Sequence, residues 1–246
     1  MKVLVIPDVH LKPCLFDYAD NILKSGKADM AVCLMDIPDD WNKQFYINLY
    51  SDIYDRAIKF AKDHPDTLWC YGNHDISYLW GKWETGYSPY AERTVINKIG
   101  KLEKTLKDHS QIAFIHRIDN VLFSHGGLNV DFLRWFDESL INADIDDVIA
   151  AINNAPRDVL WDDRSPIWYR PQYVQNVKAF RSNIYKQVVG HTPVKKIYEK
   201  DGFISTDVFS KNSRGNQIGE SAMVVIDSMT QDWRILANGQ LYSIRR

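Results

Sequence analysis

The chain reads as an α/β protein with a parallel core. Three observations point there: short runs of β-branched and aliphatic residues alternate with helix-period stretches over the first 75 residues, each run is short enough for a buried strand, and each ends in polar residues. Strand, helix, strand, helix, strand is the order that builds parallel sheets through right-handed crossovers.

KVLVI (2–6) is the first strand, stopped by Pro7, with Asp8-Val9-His10 at its mouth. FDYADNILKSG (16–26) has apolar residues at helical spacing and a Gly stop, which predicts a helix. ADMAVCLMD (28–36) is a second buried strand ending in a carboxylate. Residues 45–64 carry apolar groups at i, i+3, i+4 and i+7 and predict a helix. TLWCYG (67–72) is a third strand, followed by Asn73-His74-Asp75. Residues 77–95, rich in aromatics and Gly, read as an irregular excursion. QIAFIHRIDNVLFSHGGL (111–128) predicts two strands around a turn at 118–120, and a helix follows at about 144–154. YKQVVGHTPV (185–194) is a further strand with a polar mouth. The runs GFISTD, SAMVVID and DWRILANGQLYSIR predict a second, antiparallel sheet. No repeat, low-complexity tract or linker interrupts 1–246, so a single domain is expected.

Composition narrows the function classes. The formal net charge of −2 gives no electrostatic case for a nucleic-acid or membrane partner. Cys14, Cys33 and Cys70 are odd in number and lack CxxC spacing, which reads as reduced core thiols in a cytoplasmic protein. Only four apolar residues run together before Pro7, too few for the apolar segment of a signal peptide, and no run approaches the roughly 18 residues of a membrane span.

Five strand-like runs end in groups able to bind a metal: Asp8 and His10, Asp36, Asn73 and His74, His125, and His191. In open α/β sheets the carboxyl ends of strands line the ligand crevice, so these residues can converge. Alone, each has an ordinary reading: Asp36 as a helix cap, His125 and His191 as satisfied core histidines. Their shared position at strand mouths favours a common site; His64, His109 and His116 lack that context and read as structural. Carboxylate, imidazole and amide together suit Mn, Fe or Zn better than Mg or Ca, with Mn preferred. There are more ligands than one ion needs, and a carboxylate shared by two ions about 3.5–4 Å apart accounts for the surplus. A phosphate-binding GxxxxGK loop, GxGxxG, GxSxG and HExxH are all absent from the sequence.

Asp8-Val9-His10, Asp36 with Asp39, Gly72-Asn73-His74-Asp75, Ser124-His125-Gly126-Gly127 and Gly190-His191 resemble, in order, the motifs of calcineurin-like metallophosphoesterases. The resemblance implies a four-layer sandwich of two mixed sheets flanked by helices, and hydrolysis of a phosphate ester by a hydroxide bridging two metals. It implies Asp8 and His10 on the first metal, Asp36 bridging both, and Asn73, His125 and His191 on the second. His74 would protonate the leaving group with help from Asp39, and Asp75 would support the loop. Gly190-His191-Thr192-Pro193 lacks a second His, which resembles the phosphoprotein phosphatase branch, including small bacterial and viral protein phosphatases and dinucleoside tetraphosphatases. Arg170 falls where that branch places a phosphate-gripping Arg, whose fork matches phosphate oxygens.

One departure bears on substrate. Met35-Asp36-Ile37-Pro38-Asp39-Asp40-Trp41 replaces the branch's Gly-Asp-x-x-Asp-Arg-Gly, so Asp40 stands where a second phosphate-gripping Arg is expected. Arg164, Lys82 or Arg93 are the candidates to compensate. The expected substrate is a phosphate monoester, on a protein or on a small molecule or nucleotide. A phosphodiesterase or nuclease, a dinucleoside polyphosphate hydrolase and a non-catalytic metal-holding scaffold are the alternatives. For the nuclease, Tyr78, Trp80, Trp83, Tyr87 and Tyr90 could stack bases.

Overall fold

The structure, a computed structural model, describes residues 1–176, 179–237 and 240–242. The first strand, β1 (Lys2–Ile6), has Val3, Leu4, Val5 and Ile6 fully buried, so both of its faces are covered. Removing each such side chain from water contributes about 1.5–3 kcal/mol. Helix α1 (Cys14–Lys24) buries Leu15, Phe16, Ala19 and Ile22 on one face. After β2 (Met30–Cys33) comes α2 (Ile47–Asp63), which buries Tyr50, Ile53, Tyr54, Ala57, Phe60 and Ala61, the stripe expected of a 3.6-residue period.

β3 (Leu68–Cys70) leads into α3 (Asn73–Trp80), and α4 (Glu92–Glu103) follows. The stretch read from sequence as an irregular excursion is irregular over 81–91, but its two ends are the end of one helix and the start of another. Its aromatics disguised them: Tyr78 and Tyr87 stack at 4.2 Å and Trp80 packs on Phe114 and Trp161. β4 (Ile112–Ala113), β5 (Ile115–Ile118) and β6 (Val121–Ser124) come next. α5 (Val130–Asp137) is capped by Asn129, whose side chain accepts from the Phe132 N–H at 2.8 Å, and α6 (Ile145–Asn153) is capped by Asp144. A short α7 (Arg157–Leu160) precedes β7 (Lys186–Val189), β8 (Tyr198–Lys200), β9 (Phe203–Ser205), β10 (Ala222–Asp227), β11 (Trp233–Ala237) and β12 (Gln240–Tyr242).

Two mixed sheets result. The seven-stranded one runs β12-β11-β10-β1-β2-β3-β4, the five-stranded one β5-β6-β7-β9-β8. β1 to β4 are mutually parallel, as are β6, β7 and β9. The larger apolar cluster joins the seven-stranded sheet to α1, α2 and α4 and to Phe123, Val188 and Ile204 of the other sheet. A second cluster packs Ile115 and Leu122 on α5 and α6. The two-residue period is explicit on β6: Val121 and Phe123 face one cluster, Leu122 the other. Helices, sheet, sheet, helices is the four-layer order.

Two expectations are corrected. The C-terminal runs do not form a separate antiparallel sheet: β9 joins the second sheet in parallel, while β10 pairs antiparallel with β1 and carries β11 and β12 onto the first sheet. Adding to β1 covers an otherwise open edge of apolar strand. Positions 238–239 and 243–245 of the last predicted run lie outside the described residues. Cys33 and Cys70 are buried free thiols, but Cys14 is exposed at the start of α1. Among the described residues no helix is long and apolar enough to cross a membrane.

Candidate metal centre

The carboxyl ends of six parallel strands meet at one place. Asp8 and His10 follow β1, Asp36 and Asp39 follow β2, and Asn73 and His74 open α3 just after β3. From the other sheet come His125 after β6, His191 after β7 and Asp207 after β9. Asp36 Oδ2 lies 3.1 Å from His125 Nε2 and 3.8 Å from His10 Nε2, and Asp8 Oδ1 lies 3.7 Å from His125 Nε2. The Asn73 amide oxygen is 3.1 Å from His125 Nε2. Ligand atoms of His10, Asp36 and His74 lie within 4.8 Å of one another, as do those of Asp36, His125 and His191. Asp36 belongs to both groups.

The backbone is bent hard to achieve this. His10 (φ 40°), Met35 (51°), Asp36 (42°), Asp39 (66°) and His191 (63°) all adopt left-handed conformations, each costing of order 1–3 kcal/mol. Two glycines permit the close approaches. A Cβ on Gly72 would lie 2.0 Å from Asp36 Oδ1, and one on Gly190 would lie 2.1 Å from Asp8 Oδ2. Asp75 ties the loops together: Oδ2 accepts the N–H of Gly72 (3.0 Å) and of Asp36 (2.8 Å), Oδ1 that of Ile37 (3.2 Å) and the Tyr54 hydroxyl (3.2 Å). Asp75 is fully buried, and all four bonds brace the loops rather than the centre.

The residues fit a pair of cations. Asp8 Oδ2 and His191 Nε2 are buried with no hydrogen-bond partner, a cost of about 1–3 kcal/mol each that a bound cation would remove. The His125 Nδ1–H donates to the Leu34 carbonyl (2.9 Å) and the His10 Nδ1–H to the Asp39 carbonyl (3.0 Å), which turns both Nε2 atoms toward Asp36. Burial and the adjacent Asp207 push the Asp8 carboxyl well above its usual range. Burial opposes charge on His125, yet Asp36 and Asp8 outweigh it and push the ring up to about 9. Burial brings His10 down to about 3 despite Asp36.

His74 is held differently. Its Nδ1–H donates to Asp39 Oδ2 at 2.9 Å, while Asp39 Oδ1 accepts the hydroxyls of Tyr78 (2.6 Å) and Tyr50 (3.1 Å). Burial disfavours the imidazolium, but Asp36 and Asp39 prevail and push His74 up to about 9. Arg170 Nη1 donates to the His191 carbonyl (3.0 Å) and to Thr192 Oγ1 (3.3 Å), and its side chain lines the same cavity as His10, Asp36, Asn73, His74 and His191.

All nine expected site residues are thus brought together. Tyr50, Asp207 and Lys211, which the sequence did not single out, and Tyr78, singled out only as a base-stacking aromatic, also belong to the site or its support. Asp207 ends the run GFISTD and could have been found by the strand-mouth rule; Tyr50 and Tyr78 sit on helical faces indistinguishable from core. The cations suggested to offset Asp40 are elsewhere. Arg164 pairs with Asp162 at 2.7 Å, Lys82 lies over the Trp161 ring at 4.6 Å, and neither they nor Arg93 line the cavity. His64 bonds to Asp20 (2.8 Å) and His116 to the Trp69 carbonyl (3.0 Å), away from the centre.

Fold and site together define a metal-dependent phosphoric ester hydrolase of a dinuclear-metal class. The family described as calcineurin-like phosphoesterase matches residues 1–220, and the chain belongs to it. Among solved structures it is similar to the cold-active protein-tyrosine phosphatase of a psychrophile, Shewanella sp., at 18% identity and TM-score 0.65, covering 99% of this chain and 80% of that one. Another structure of a cold-active protein tyrosine phosphatase matches at 19% identity and TM-score 0.61, over 98% and 78% of the two chains. These likenesses carry the fold. No curated protein matches the sequence.

Proposed function

We propose that the chain hydrolyses phosphate monoesters, carried on a protein or on a small molecule or nucleotide. In this reading Asp8 and His10 would hold one transition metal, Asn73, His125 and His191 a second, and Asp36 would serve both; Mn is the preferred ion, with Fe or Zn as substitutes. When bound, such a pair acidifies and orients a water and neutralises charge on the phosphoryl oxygens. The chain's own residues supply the rest. Arg170 presents its guanidinium to the phosphate from a position fixed by the His191 carbonyl. His74 gives its Nε2 proton to the departing oxygen, and Asp39 stabilises the imidazolium and sets the ring's orientation.

The observation that carries the reading is the convergence of ligands, His74 and Arg170 on one cavity of about 190 Å³. That is below the roughly 300–1,000 Å³ of clefts that enclose drug-sized ligands. It supports a phosphate seated inside with its substituent projecting outward. Trp41, 40% exposed on the cavity wall, supports an aromatic group beside the phosphate. Of the aromatics a nucleic-acid reading would use, Tyr78 and Tyr87 stack on each other and Tyr90 packs against Phe45, which counts against that reading.

The test is a comparison of p-nitrophenyl phosphate with bis(p-nitrophenyl) phosphate in the presence of Mn²⁺. Higher kcat/KM on the monoester is expected. Preference for the diester would overturn the reading in favour of a phosphodiesterase or dinucleoside polyphosphate hydrolase.

A further inference from the structure

Asp40 lines the cavity where phosphate is to bind, and a lone carboxylate there would repel it. Asp40 is not alone. Its Oδ2 lies 3.8 Å from Lys12 Nζ and 3.5 Å from Lys211 Nζ, and its side chain is only 6% exposed. Taken by themselves, Asp40, Lys12 and Lys211 sum to a single positive charge, the charge of one guanidinium.

The two lysines are placed differently. Lys12 is turned inward: its Nζ donates to the His10 carbonyl at 3.0 Å, and its side chain is 11% exposed. Lys211 is 34% exposed and lines the cavity together with Arg170, His10, His74 and His191. A small turn carries it, in which Lys211 pairs with Gln217 in an isolated antiparallel bridge. Asn42 Nδ2 donates to the Ser213 carbonyl at 3.3 Å, fastening that turn to the loop that bears Asp39 and Asp40. Backbone and side-chain contacts therefore both fix Lys211 at the cavity wall.

We propose that Lys211, braced by Asp40 and Lys12, is the second cation of the phosphate subsite and selects a doubly charged phosphate group over a singly charged diester. The inference rests on the monoesterase reading for its substrate class. A cation facing the phosphate gains with each unit of charge on it. An ammonium is a point charge without the fork of a guanidinium, so Arg170 sets the orientation of the phosphate and Lys211 adds affinity. Asp40 keeps the two ammoniums together and prevents Lys12 and Lys211 from repelling each other.

The experiment compares the wild type with Lys211→Met and Lys211→Arg, loaded with Mn²⁺. It reads kcat/KM on the monoester and diester nitrophenyl phosphates, and the affinity for inorganic phosphate by calorimetry. Lys211→Met should lower monoester kcat/KM and phosphate affinity by roughly 10- to 100-fold, the size of one charge-assisted hydrogen bond, with the diester changed less than about threefold. Lys211→Arg should recover most of the loss. Unchanged phosphate affinity in Lys211→Met, or equal losses on both esters that Lys211→Arg does not rescue, would overturn the proposal. If the wild type itself prefers the diester, the monoesterase reading falls, and phosphate affinity alone then decides whether Lys211 is the subsite cation.

Discussion

The Asp75 carboxylate accepts the Asp36 backbone N–H at 2.8 Å across 39 positions of sequence, so the start of α3 grips the loop that carries the carboxylate shared by both ligand groups. Asp75→Asn would turn one of two accepting oxygens into a donor facing backbone N–H groups. Such a buried, unpaired contact costs about 1–3 kcal/mol. Thermal unfolding should show a lower Tm, and metal titration a weaker affinity, although residue 75 touches no metal in the proposed site.

His74→Ala should lower turnover by about 10²–10⁴-fold, the range for a general acid, while metal content measured by elemental analysis stays unchanged. Loss of the metals would instead make His74 a ligand, which its place beside His10 and Asp36 allows geometrically. Asp39→Asn probes the same group through pH. In the metal-free protein Asp36 and Asp39 push His74 up to about 9; with cations on Asp36, Asp39 is the charge left to hold the acid form, which is lost as pH rises. Removing the Asp39 charge should move the alkaline limb of the rate profile to lower pH by about 1–2 units.

Metal uptake should release protons. The His125 ring, pushed up to about 9, carries its extra proton at pH 7, and a cation at Nε2 must displace it. An indicator-monitored Mn²⁺ titration should therefore show about one proton released from this ring at pH 7, falling toward none above pH 9. In metal-free protein the linkage has the matching sign. The folded pKa lies above the ordinary 6.5, so the stability that His125 contributes is complete below 6.5 and is lost as pH rises toward about 9.

Gly190→Ala should abolish metal binding and destabilise the fold, because the new methyl would meet Asp8 Oδ2 at 2.1 Å. Gly100→Ala is the contrast. Gly100 lies within α4 with nothing within 4 Å of an added Cβ, so that change should stabilise the protein by about 0.5–1 kcal/mol. Metal binding and thermal melts of the two variants check both directions.

The four-layer fold class and the meeting of the strand-mouth residues are both legible in the sequence, while the pairing of the later strands is not. Asp8, Asp36, Asn73, His125 and His191 could be found because strand periodicity marks where a buried run ends, and polar groups at such ends converge whatever lies between. The C-terminal strands were misplaced because pairing partners are set by long-range register, which local alternation does not encode: β10 alternates equally well beside β1 or in a sheet of its own. Helix α3 is hidden because its first turn is the polar run Asn73-His74-Asp75 and the aromatics Tyr78 and Trp80 follow. Lys211 could not be read at all, since its meaning depends on a contact with Asp40 171 positions away in the chain.

Both sheets contribute to the centre, and its parts are far apart in sequence: the His191 N–H reaches Asp8 across 183 positions. A cation pair there would act as a rivet through the middle of the sandwich, closing a loop of 183 positions as a covalent cross-link would. The metals would then guard the docking of one sheet on the other as well as serve the chemistry. Stripping them should loosen the seam between the layers first, leaving each sheet's own hydrogen bonds to fail later.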